Sequence, residues 1–235
     1  RRLRPPSETY WFGTDMFGRD VYTRTIYGAR ISLIVGISVS ILSTVIGLTI
    51  GMLSGYVRIV DAVVMRIMDG LMAIPGILLA IAMMALTKAS VENVIIAITI
   101  PEVPRVVRLV RGLVLQIREH PYIEAAQSIG TRFHRILIKH ILPNIMAPLI
   151  VQATYICAAA VLIEAGLSFL GAGTPPNIPS WGNIMAEGRT FFQIAFWIIL
   201  FPGLFLSVTV LAINLLGDGL RLSLIHISEP TRRRG

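Results

Sequence analysis

The chain has 235 residues, of which 54% are hydrophobic and 14% charged, with a mean hydropathy of +0.74 and a net charge of +8. A soluble domain carries about a quarter charged residues, so a water-soluble globule is excluded. The excess positive charge does not point to nucleic acid, because the basic residues are mostly arginines beside apolar runs, where the ends of membrane spans place them. The single cysteine, Cys157, sits in an apolar run and excludes an intrachain disulfide and a cysteine metal cluster. It reads as a small buried hydrophobe.

Residues 1–29 are polar and arginine-rich, and carry neither a spanning run nor the pattern of a signal peptide. A first span is expected over residues 31–56. Gly47, Gly51 and Gly55 repeat there at four-residue steps, with Gly36, Ser40 and Thr44 in the same register. Small residues so spaced let helices approach closely in lipid and predict a helix–helix contact. A turn with Arg58 and Asp61 leads to a second span, residues 62–86, kinked at Pro75-Gly76. Asp69 is an intramembrane acid and so a functional candidate, but Arg66 three residues before it predicts a structural pair.

A third span, residues 91–114, is expected to be interrupted by Pro101 and Pro104. Arg105, Arg108 and Arg111 follow at three-residue spacing, which predicts side chains snorkelling to the membrane interface rather than a voltage sensor. The stretch 118–143 is the longest polar interruption in the chain. Its apolar residues Ile123, Ala126, Ile129, Phe133 and Ile136 recur at three- and four-residue steps, the spacing of one or two short amphipathic helices. Gly130 stands where the first of them would end.

A fourth span covers residues 145–170. Within it Glu164 is either a pore or packing acid inside the span or an end-of-helix residue facing water. The turn-forming run from Gly171 favours the second. A fifth span is expected over residues 190–216. The basic residues on the two sides of five spans divide ten to eight, which places the central polar stretch in the cytoplasm. Residues 222–235 resemble a translated adapter sequence more than a natural terminus, and are excluded from function. Without their three arginines and one glutamate the charge is +6.

No phosphate loop of the GxxxxGK[ST] type occurs, and the two lysines, Lys88 and Lys139, follow no glycine. No HExxH occurs, and His120, His134, His140 and His226 lack the spacing of a metal site, so none is expected. Energy for any transport would come from a gradient or from a partner.

The central stretch runs Glu124-Ala125-Ala126, three residues, Gly130, then on to Leu142-Pro143. It resembles the EAA loop of permease subunits of binding-protein-dependent ABC importers. His140 followed by Ile141-Leu142-Pro143-Asn144 is similar to the dipeptide/oligopeptide/nickel branch. Further motifs agree: Gly-Thr-Asp-Met-Phe-Gly-Arg-Asp at 13–20, Tyr-Gly-Ala-Arg-Ile-Ser-Leu at 27–33, Leu-Ser-Phe-Leu-Gly at 167–171, Pro-Ser-Trp-Gly at 179–182 and Asn-Leu-Leu-Gly-Asp-Gly-Leu-Arg at 214–221.

The resemblance implies an all-α polytopic helical bundle in the cell membrane, with residues 30–221 as the permease domain. Family members have six spans, so five of six are expected here and residues 1–29 become extracytoplasmic. It also implies two cytoplasmic ATPase subunits that bind ATP and Mg, a second permease subunit and an extracytoplasmic solute-binding protein, with no cofactor and no catalysis in this chain. Glu124, Ala125, Ala126, Gly130, Leu142 and Pro143 are then the ATPase-coupling residues, Gly47, Gly51 and Gly55 pack helices, and Asp69 and Glu164 are possible intramembrane acids. The competing class is a gradient-driven transporter or channel, which would need those acids in its path.

Overall fold

The computed structural model describes residues 2–228, with side chains up to residue 223. Nine α-helices make up the architecture among the described residues: α1 (Val21–Tyr56), α2 (Arg58–Met72), α3 (Gly76–Leu86), α4 (Val91–Ile117), α5 (Pro121–Ser128), α6 (Phe133–Ile136), α7 (Leu142–Phe169), α8 (Trp181–Gly188) and α9 (Trp197–Ser228). A π turn, Leu137–Ile141, joins α6 to α7 without a break in direction.

Helix α1 is the axis of the bundle. It starts at Val21, ten residues before the expected span, because the Asp20 carboxylate accepts from the Thr23 amide and caps a helix that the sequence reading treated as a polar segment. At about 1.5 Å per residue its 36 residues run roughly 54 Å, more than a bilayer core requires. Its glycines split its surface between two partners. Gly36 faces α7, where an added Cβ would stand 2.5 Å from Val161 Cγ2. Gly47, Gly51 and Gly55 face α4, where added Cβ atoms would stand 2.4 to 2.7 Å from the Cβ atoms of Val106, Val110 and Val114. The offset is 59 residues at all three contacts, so α1 and α4 run parallel there; α7 returns antiparallel, with Ser32 beside Glu164 and Ser40 beside Ala153.

Three helical segments are long and apolar enough to cross a membrane: Val21–Tyr56, Phe133–Phe169 and Trp197–Ser223. A fourth span exists if α2 and α3 count as one. These two meet at 85° across the Pro75 break, a far larger bend than a kink. Helix α4 has the length, 27 residues, but Glu102, Arg105, Arg108 and Arg111 make it too charged to pass on composition, so the count of five is not reached on that criterion. Pro101 and Pro104 do not interrupt α4, which runs straight through both. The outer face of α9 exposes Leu200, Leu204, Val208, Leu211 and Leu215 at helical spacing, an apolar stripe suited to lipid. Residues 222–228 continue α9, and the rest of the segment set aside as a tail lies outside the described residues.

Candidate functional site

The polar stretch forms a compact hairpin at the end of the bundle where α1 and α4 finish. Pro121 opens α5 at a position where its missing N–H costs nothing. Ile123 and Ala126 turn inward and are 0% and 7% exposed, while Glu124, Ala125, Gln127 and Ser128 face out. Burying Ile123 stabilises the docking of α5 by about 2 kcal/mol. The helix ends in a paired-bond cap. The Gly130 amide donates to Gln127 O at 2.9 Å and the Thr131 amide to Ala126 O at 3.0 Å, with Gly130 at φ +77°. That conformation is left-handed, and glycine enters it without steric cost.

Side chains fasten this hairpin to α1 and α7. Arg118 donates to Gly55 O at 3.1 Å, Gln127 Nε2 donates to the Tyr56 hydroxyl at 3.0 Å, and the Tyr56 ring meets Phe133 edge-on at 5.0 Å. Asn144 Nδ2 reaches the Tyr122 hydroxyl at 3.4 Å and binds His140 O at 2.6 Å, joining α5 to the start of α7. Leu142 and Pro143 lie at that start, Leu142 half-buried and Pro143 exposed. The π turn just before them closes with the Leu142 amide on Leu137 O. It buries Leu137 and Ile141 while Ile138 and Lys139 stay outside. Such turns insert one residue into a helix and recur where a helix must carry a functional face.

Of the six expected coupling residues, Glu124, Ala125, Gly130 and Pro143 are therefore exposed together at one end, Leu142 is partly covered, and Ala126 belongs to the interior. Two open clefts flank α5. One, about 370 Å³, is lined by Tyr56, Arg118, Glu119, Glu124 and Gln127; the other, about 500 Å³, by Ile129, Gly130, Thr131, Arg132, His134 and Arg135. Ile129 stands between them 83% exposed. Sequence reasoning missed the anchoring roles of Tyr56, Gln127 and Arg118, whose partners lie 63 to 71 residues away in two of the bonds.

The intramembrane acids depart from expectation. Asp69 pairs with Arg108 of α4 at 2.5 Å, not with Arg66. On a helix the three-residue neighbour is close, but here α4 passes over that face of α2. Asp61 takes Arg111 in a two-point pair and also accepts from Ser54 at 2.7 Å, and Arg105 contacts Glu102 at 3.4 Å. All three arginines thus contact acids. Glu164 is 0% exposed and does not face water. Its carboxyl accepts from Ser32 of α1 at 3.0 Å and Ser168 at 2.8 Å, with Thr174 beyond, because the 171–180 loop folds back over the end of α7.

The opposite end of the bundle is closed by ion pairs. Asp15, 1% exposed, accepts from Arg19 at 2.6 Å and Arg24 at 2.9 Å; both arginines also hold Glu187 of α8. Trp181 Nε1 donates to Thr25 O and Trp197 Nε1 to Thr14 O.

Residues 25–224 match the family model described as binding-protein-dependent transport system inner membrane component. A probable peptide ABC transporter permease protein of Sinorhizobium fredii is 56% identical over 221 residues, covering 94% of this chain and 76% of that protein. A dipeptide transport system permease protein of Alkalihalophilus pseudofirmus is 47% identical, covering 94% and 73%. An oligopeptide transport system permease protein of Bacillus subtilis is 39% identical, covering 93% and 72%. Among solved structures, the inward-facing methionine ABC transporter MetNI aligns with a TM-score of 0.71 at 23% identity, over 86% of this chain and 96% of that one, a likeness of fold.

Proposed function

The chain belongs to the family of inner membrane components of binding-protein-dependent transport systems, and from that premise we propose that it is the permease subunit of an ATP-driven peptide importer. Peptides are favoured among the cargoes of its branch by the names of its relatives. In this reading the subunit forms half of a translocation path with a second permease subunit. An extracytoplasmic solute-binding protein delivers the cargo, and two cytoplasmic ATPase subunits bind ATP and Mg. The chain itself carries out no chemistry.

The observation that carries the coupling assignment is the construction of the α5 end. A short helix presents Glu124 and Ala125 outward, while buried Ile123 and Ala126 and two side-chain ties, Gln127 to Tyr56 and Asn144 to Tyr122, hold it to α1 and α7. A force applied to α5 would therefore move the spans with it. An ATPase pair that contacts α5 differently in its open and closed states would bias the path between two conformations. The test is ATP-dependent peptide uptake by the complete complex in proteoliposomes. Glu124→Lys should leave insertion intact, since Glu124 is exposed and in no ion pair among the described residues, but should separate ATP hydrolysis from uptake. Normal uptake by that variant would sink the coupling role. Uptake that persists without ATP would favour a gradient-driven carrier.

A further inference from the structure

Three acid–arginine contacts lie along one face of the molecule where α2 crosses α4: Glu102–Arg105, Asp69–Arg108 and Asp61–Arg111. Their depth follows from the register of α1 and α4. The 59-residue offset between those parallel helices puts Arg105 level with Ile46. Helix α1 is uncharged from residue 31 to 57, so its middle is Thr44 and Arg105 lies within about 3 Å of that level. From the middle of a hydrocarbon core of about 30 Å, either interface is roughly 15 Å away, too far for an arginine to reach. Yet the side chains of Arg105, Arg108 and Asp69 are 52%, 44% and 58% exposed. Charges at that depth face a protein interior or a water-filled cavity, not lipid. Residues 31–56 of α1 and 197–216 of α9 carry no charge, and only Thr49 and Ser207 interrupt their exposed apolar faces, so the exposed charges at that depth belong to α2 and α4.

The three cations are not equally engaged. Arg111 holds its acid through two nitrogens and Arg108 makes a 2.5 Å contact, whereas Arg105 makes a single contact at 3.4 Å to a carboxylate that is itself almost wholly buried. Of these three paired cations, Arg105 is the one best able to accept another anion. A peptide with free ends carries one carboxylate at its C-terminus, and a guanidinium binds a carboxylate through two parallel hydrogen bonds. We propose that the α2–α4 face lines the translocation path and that Arg105 is the group that contacts the terminal carboxylate of a passing peptide. This rests on the peptide-permease reading above.

Two measurements on the complete complex in proteoliposomes test it, both interpretable only where the wild type shows ATP-driven uptake; absence of that uptake refutes the reading beneath it instead. In a Cys157→Ser background, Arg105→Cys should react with a membrane-impermeant charged thiosulfonate and be protected by transported peptide, whereas Leu204→Cys on α9 should not react. Equal, slow labelling at both positions would overturn the proposal. Separately, Arg105→Gln should lower uptake of a free-carboxylate peptide about tenfold relative to uptake of its C-terminal amide, the worth of one lost charge-assisted pair. An equal loss for both peptides, or failure of the second permease subunit to co-purify, would assign Arg105 to structure or to the subunit interface and overturn its contact with cargo.

Discussion

The two ends of the bundle solve the same problem in opposite ways. At the α8 end two acids and two arginines neutralise one another, Trp181 and Trp197 find carbonyls, and the Asn183 amide reaches Thr174, Pro175 and Ile178. At the α5 end the backbone is equally complete, with its cap closed at Gly130, but the charges are not. Glu124, Arg132, Arg135 and Lys139 form no ion pair among the described residues, and Ile129 is exposed beside them. Pairing of the buried charges marks a frame that the chain completes by itself, even where Trp11, Phe17, Phe192, Ile194 and Phe196 stay exposed around it. A completed backbone under unsatisfied side chains marks a surface held in shape for something else. The difference predicts that substitutions at the α8 end act on stability, and that those at the α5 end act on coupling.

The largest effect on stability is expected from Arg24. Its side chain is 10% exposed and bridges Asp15 and Glu187, with Nη1 and Nη2 on the two oxygens of Glu187. Arg24→Met leaves excess buried negative charge and should cost about 3 kcal/mol. Arg24→Lys should recover only part, because an ammonium cannot reproduce the two-point grip. Denaturation of the detergent-solubilised complex reads both. A variant as stable as wild type would remove the contrast between the ends.

Next comes the seam between α1 and α4. At Gly47 even a Cβ would meet Val106 Cβ at 2.4 Å, and neither backbone can yield without opening the α1–α4 contact. Gly47→Leu should cost roughly 1–3 kcal/mol by overpacking. Gly112, on α4 itself, has nothing within 4 Å of an added Cβ, so Gly112→Leu should stay within about 0.5 kcal/mol of wild type. Equal losses would mean that the seam does not set the cost, since helix propensity favours leucine over glycine at both positions.

What could be read in the sequence divides along the range of the interaction. The glycine step in α1 and the stop at Gly130 were visible because each is written within a few residues. So was the break at Pro75, though not its 85° size, which depends on what α3 packs against. Helix α8 was not expected, because its eight residues sit in a run of turn-formers and its start is held by Ser180. Asp69, Arg108 and Arg111 were misassigned because their partners come from another helix, 39 residues away for Asp69 and 50 for Arg111, whereas Arg105 meets Glu102 of its own helix. Glu164 was read as facing water because glycines and prolines follow it. The same residues fold the loop back so that Thr174 and Ser180 roof it over. Of the six residues expected to couple, orientation was not legible: only the structure turns Ala126 inward and leaves Ala125 outside.

The sharpest test of the contrast is at Gly130. No atom lies within 4 Å of a Cβ added there, so sterics with the rest of the chain do not constrain it. Its φ of +77° does. A branched residue in that conformation costs about 1–2 kcal/mol, whereas asparagine tolerates it at a fraction of that. Gly130→Val and Gly130→Asn therefore differ in backbone cost while both add a side chain to the same exposed position. If α5 works by its shape, Gly130→Asn should keep most ATP-driven uptake, and Gly130→Val should lose it while the complex still inserts and its unfolding midpoint falls by no more than that backbone cost explains. If instead bare surface at Gly130 is what a partner requires, both variants should fail alike. Uptake rates of the pair, set against their unfolding midpoints, separate a lever that must hold its bend from a face that must stay uncovered.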